Sequence, residues 1–187
     1  KHLTELLARA KPDSPLTYGS PGVGLPQHIH GHSLARVAGA PMRHVPYRGS
    51  SPALIDVISG HISMMFVTAG AAAPFIKSEQ VRALAVASPE RSHFFPNVPT
   101  LQELGFNGVE QQVWFGIFAP ARTPKPVVDQ LNAEIVKILG KPDVRAKLEA
   151  IYTDIAPPQK ADAFKAFVKA EADKWVAFIK KSGITPE

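Results

Sequence analysis

The stretch Tyr18-Gly19-Ser20-Pro21-Gly22-Val23-Gly24-Leu25-Pro26-Gln27-His28 constrains this chain most. A short apolar run, Leu16-Thr17-Tyr18, enters a loop carrying Gly19, Gly22 and Gly24. The loop then opens a helix whose first position suits Pro26, since the fixed φ fits and the missing N–H is not needed there. Gly22 and Gly24 are free to adopt positive φ and to let the backbone approach a ligand. A Gly-rich loop feeding a helix N-terminus presents unpaired N–H groups and the positive end of the dipole. That arrangement suits a carboxylate or a phosphate, and the same residues also fit a tight strand-to-helix turn that holds nothing. The spacing matches neither familiar phosphate loop. No Gly-Lys-Ser/Thr follows, and Gly19-x-x-Gly22-x-Gly24 reverses the dinucleotide fingerprint. A carboxylate cradle is therefore expected, with no nucleotide cofactor.

The rest of the chain alternates helix and strand. Helices are expected over 1–11, 26–37, around 54–58, from Gly70 to Ile76, 125–139, after Pro142, and 160–181. Strands are expected at 16–18, 42–46, 62–67, 81–87 and 113–119. Gly39 is placed to end the second helix, and Ser50 or Ser51 to cap the third. Thr100 and Glu103 have the spacing of a capping box. Short strands alternating with helices predict a parallel or mostly parallel α/β sheet. The last helix gathers Phe164, Phe167, Val168, Trp175, Phe178 and Ile179 on one face, where Glu171 reads as an acid paired within the structure. A change of character after Ser88, marked by Pro89, Pro96 and Pro99, divides the chain. The expected organisation is a lobe over 1–88, a connector over 89–112 and a further part over 113–187.

Composition limits the partners. Of 187 residues, 45% are hydrophobic and 20% charged, as in water-soluble globular domains. No run approaches the roughly 18 apolar residues of a membrane span. The net charge of +5 is dispersed without a Lys/Arg block, so nucleic acid is not an expected partner. Cysteine is absent, which excludes disulfides, thiol catalysis and thiolate metal sites. The chain begins inside an amphipathic pattern, Lys1 to Lys11, and is expected to be the interior of a longer protein.

Several strings then converge. Tyr18 to Gly24, His28, and His44-Val-Pro-Tyr-Arg-Gly49 resemble the Bug-type family, the substrate-binding proteins of tripartite tricarboxylate transporters. Arg82 to Val86, Arg91, Pro96 to Thr100 and Glu103-Leu-Gly105 continue the likeness. So do Trp114-Phe-Gly116, Ala119-Pro120, Thr123-Pro124, and the last helix with Glu171 and Trp175. The resemblance implies a two-lobe α/β protein of the type II periplasmic-binding-protein kind. It also implies periplasmic location, capture of a small carboxylate without catalysis, and delivery to membrane permease subunits. The family's N-terminal segment, with its signal peptide and first-lobe glycine loop, is expected to lie outside this stretch. The second lobe is thus expected to be complete and the first only partly present. The same architecture serves the effector-sensing domains of LysR-type regulators, and an orphan periplasmic sensor is a further alternative.

The expected ligand contacts are Ser20, Gly22, Val23 and Gly24, joined by Tyr47 and Arg48 and by Thr68 and Ala69 from the next strand-to-helix loops. In open α/β sheets, ligands bind beyond the carboxyl ends of strands. Arg48 suits a bidentate grip on a second carboxylate or, equally, an ion pair with Asp56. His28 and His32 share a helix face, yet no third metal ligand accompanies them, so capping or solvated histidines are expected and no metal site. Trp114 and Phe115 read more readily as core than as a cleft wall. Ser20 lacks the Gly-x-Ser-x-Gly elbow of hydrolases, and no catalytic residue is expected.

Overall fold

The computed structural model describes residues 2–109 and 113–182. The chain divides into two compact units, one running through Val113 and the other beginning at Trp114.

Unit 1 is built on a parallel sheet of order β2-β1-β3, with β1 at Leu16–Ser20, β2 at Met42–Pro46 and β3 at Met64–Met65. Tyr18 pairs with His44 on one side and Met64 on the other. Helices α1 (Leu3–Leu7), α2 (Pro26–Ala38), α3 (Ser50–Ile58) and α4 (Ala69–Lys77) complete the elements of this unit. Successive strand residues face opposite sides of a sheet, and here each side has its own helix. A Cβ at Gly31 of α2 would collide with the Tyr18 ring, and one at Gly19 would meet Ile62, Tyr47 and Ala53 around α3. Both faces of β1 are therefore covered, which is why its five residues are buried or nearly so. The larger core joins Leu3, Leu7, Leu16, Tyr18, Leu34, Met64, Leu101 and Val109.

The α2 boundaries follow the sequence closely. Pro26 opens the helix, and Gly39 closes it at φ 58° with its N–H bonded back to the last turn. The expected capping box is present. Thr100 N–H donates to Glu103 Oε2 at 2.7 Å and Glu103 N–H to Thr100 Oγ1 at 3.0 Å.

Several expectations are corrected. The first helix stops at Leu7 instead of Lys11, where an isolated bridge to Ser14 forms. The α3 N-cap is Gly49 at φ 103°, not Ser50 or Ser51. The strand expected over 62–67 shrinks to Met64–Met65, because only Tyr18 and Gly19 offer it a ladder. Residues 81–87 form no strand beyond a single bridge from Val86 to Thr100. Leu84, Ala85 and Ala87 still pack on the core, so apolar burial is satisfied without a ladder. Residues 100–109, expected within a connector, contribute Leu101 and Val109 to that same core.

Unit 2 holds α5 (Lys125–Leu139), α6 (Pro142–Ala150) and α7 (Ala161–Ser182), with α5 touching both others. Residues 113–119 carry no strand, which corrects the expected one. A strand needs a neighbour for its N–H and C=O groups, and unit 2 has none among the described residues. Trp114 packs edge-on against Phe164 and Phe167 of α7. Phe115, expected as core, is 80% exposed. Glu171 is mostly buried and lies 3.4 Å from the Lys174 ammonium.

Candidate functional site

The three parallel strands of unit 1 end at Ser20, Pro46 and Met65, and each is followed by a helix beginning at Pro26, Ser50 or Ala69. Parallel pairing puts these helix starts at one edge of the sheet. Two of the loops are bonded together. Tyr47 N–H donates to the Ser20 carbonyl at 3.0 Å, and Gly49 N–H to the Pro21 carbonyl at 3.1 Å. Gly24 at φ 75° and Gly49 at φ 103° are left-handed turns that a side chain would strain.

None of the three helices has a side-chain cap, and none carries an acid in its first turn. Asp, Asn, Ser or Thr ordinarily fills that place. The N-cap positions hold Leu25, Gly49 and Thr68, and Thr68 does not use its hydroxyl as a cap. The N–H groups of Val23, Ser50, Ser51, Ala69 and Gly70 have no hydrogen-bond partner among the described residues. The edge thus gathers unspent donors and the positive ends of three dipoles with no anion of its own.

The other predicted residues are partly spent. Ser20 is fully buried. Its hydroxyl donates to the Gly22 carbonyl at 2.9 Å, accepts from Gly22 N–H at 3.3 Å and lies 2.7 Å from His44 Nε2. Gly24 N–H donates to His28 Nδ1 at 3.1 Å. Tyr47 donates its hydroxyl to Asp56 at 2.7 Å, and Asp56 also meets His61 at 3.2 Å. Those two bonds hold the Asp56 carboxyl below the usual range, while burial and then Asp56 push Tyr47 up to about 12. Arg48 is exposed and has no side-chain partner among the described residues, so the pairing with Asp56 is not formed.

Sequence reasoning missed the histidines. His28 and His44 stack face to face, with centroids 3.8 Å apart and planes 13° from parallel, and Tyr18 flanks both. His28 and His30 are buried, not solvated, and His30 stacks on Phe66. The available signal was His44, which sits opposite Tyr18 in the register of β1 and β2. Burial, and then the neighbouring ring, lowers His44 to about 4; burial and then His32 lower His28. Among the described residues no cluster of three or more His, Asp or Glu is placed to hold a metal ion. No described helix is long and apolar enough to cross a membrane.

A parallel α/β sheet with a Gly-rich first loop and open helix starts at its carboxyl edge has the arrangement at which open α/β sheets take small ligands. The family model described as "Tripartite tricarboxylate transporter family receptor" (TctC) matches residues 1–184, and the chain belongs to that family. A Pseudomonas sp. (strain P51) relative, the UPF0065 protein in the tcbD-tcbE intergenic region, is 38% identical over 184 residues. The match takes in 96% of this chain and 54% of the relative. The structure of R. palustris Rpa4515 with adipate superimposes with a TM-score of 0.88 at 28% identity, covering all of this chain and 62% of that one. The periplasmic binding protein BugD gives 0.87 at 28% identity, covering all of this chain and 63% of its own. The chain therefore shares their α/β fold while spanning little more than half the length of such relatives.

Proposed function

We propose that this chain forms the carboxylate-holding part of a periplasmic solute receptor that hands its ligand to the permease subunits of a tripartite tricarboxylate-type transporter. The observation that carries the reading is the sheet edge of unit 1. Three successive helices start there uncapped and without acids, beside an Arg48 that has no side-chain partner among the described residues. Each helix end adds roughly 0.3–1 kcal/mol for an anion, up to about 2 where it is partly buried. The adipate held by the R. palustris relative is a ligand of the matching chemistry.

In this reading Val23 presents the first free amide, in a loop shaped by Gly22 and Gly24 whose own N–H groups are held by Ser20 and His28, and Thr68 and Ala69 flank the opposite side. Ser20 acts by holding the loop shape, and Tyr47 by fixing the β2–α3 loop through Asp56. Arg48 takes a second carboxylate with its planar fork. Ser20 is read as non-catalytic: its fully buried hydroxyl is engaged within the loop, with the Gly22 carbonyl and His44 Nε2.

Calorimetric titration of the full chain with adipate, and with the matching diamide, tests the reading. Adipate is expected to bind and the uncharged diamide not to, with Arg48→Ala weakening adipate about tenfold, the loss of one charge-assisted bond. Equal binding of the two compounds would remove the carboxylate assignment.

A further inference from the structure

Beneath the Gly-rich loop lie two imidazoles from different elements, His28 in the first turn of α2 and His44 in the middle of β2. Their face-to-face contact is described above, and each ring holds one part of the loop. His28 Nδ1 accepts the Gly24 N–H, so its proton sits on Nε2. The single hydroxyl proton of Ser20 goes to the Gly22 carbonyl, so His44 donates from Nε2 to Oγ. His28 must be neutral for this set of bonds to exist, whereas a protonated His44 would keep its Nε2–H and its bond to Ser20.

The surroundings offer no counter-charge. From β1, Tyr18 lies 5.0 Å from the His44 ring and 6.4 Å from that of His28, and burial pushes its hydroxyl up to about 12. Ser20, also from β1, is neutral. On α2 itself, His32 is the other basic group acting on His28. On β2, Arg43 alternates to the opposite face from His44. Residues 21–25 carry no charge. Asp56 of α3 is held by Tyr47 and His61. Among the described residues no carboxylate bonds to either ring, so both stay neutral at pH 7.

We propose that protonation of His28 and occupation of the loop by an anion are coupled, the anion replacing His28 as the acceptor for Gly24. A proton on Nδ1 sets one N–H against another and frees the Gly24 amide. That freed donor, next to Val23 N–H and a new positive charge, is then left for an anion to satisfy. An empty, protonated loop carries an unmet donor; a filled one does not. The coupling is reciprocal, so the anion must also raise the affinity of His28 for its proton. The identity of the anion rests on the carboxylate reading above, whereas the link between His28 and Gly24 rests on their bond.

Calorimetry of adipate binding to the full chain at pH 6.5, in buffers of different ionisation enthalpy, counts the protons exchanged. Net uptake is expected in the natural chain and none in His28→Gln. Ring titration by NMR needs no variant. On saturation with adipate the His28 pKa is expected to rise by roughly one unit, the equivalent of a tenfold coupling. Adipate binding with neither proton uptake nor a shift of the His28 ring would overturn the coupling and leave the carboxylate reading intact. Uptake that persists in His28→Gln would overturn it too. Failure of adipate to bind at any pH between 5 and 8 would remove both.

Discussion

Leu34 in α2 and Leu131 in α5 are the same side chain on helices of 13 and 15 residues, and they meet different surroundings. Leu34 is fully buried between α2 and the sheet, while Leu131 is 48% exposed on a stripe shared with Val128, Ile135 and Ile138. The contrast extends to the two units. Unit 1 covers both faces of its central strand. In unit 2 no residue of α5 or α6 is buried, and Phe115, Ile117 and Phe118 are 80%, 73% and 64% exposed. The difference teaches that helix formation and burial are separable. The α5 helix has its periodic stripe and its N-terminal proline, both local properties, while among the described residues it meets only α6 and α7 and no sheet. The proposed binding edge lies in the unit where strand, helix and core agree.

The largest effect that would break this comparison is a matched pair of truncations. Leu34→Ala is expected to cost about 2–5 kcal/mol of stability, by lost burial and the cavity left behind. Leu131→Ala is expected to cost about 0.5 kcal/mol or less, as at exposed sites generally. Urea unfolding of the two variants measures both, and equal losses would mean that α5 is covered after all. Next comes Gly31→Ala, where the added methyl collides with the Tyr18 ring. The expected loss is about 1–3 kcal/mol, the usual toll of overpacking. Thermal melting would register it, and an unchanged midpoint would show that α2 rides further from β1.

The smallest effect sharpens the contrast through pH. The folded pKa values of His28 and His44 lie below the ordinary histidine value, so on acidification the unfolded chain takes up protons first. Their contribution to stability is full above about pH 6.5 and is lost as pH falls toward His44's value of about 4. Melting curves across that window should fall less steeply in His44→Gln than in the natural chain. Identical slopes would separate the rings from unit 1's stability.

What was legible in the sequence follows the same division. The β1–α2–β2 run was readable because Pro26, Gly39 and alternating apolar segments each dictate local geometry, and the neighbours they required were present. Residues 81–87 and 113–119 were misread because apolar, β-prone composition reports burial or propensity, not the presence of a ladder partner. In the site, the glycines announced the loop and Arg48 its free charge. The spending of Ser20, Tyr47 and Gly24 on internal bonds was hidden. It depends on His44, Asp56 and His28, whose spacing along the chain shows no motif.

The most direct measurement is amide chemical-shift mapping of the labelled full chain with adipate added. Carboxylate capture at the sheet edge predicts that the N–H signals of Val23, Ser50, Ser51, Ala69 and Gly70 move together and saturate. Still signals at those five amides, with shifts gathered elsewhere on the chain, would contradict it.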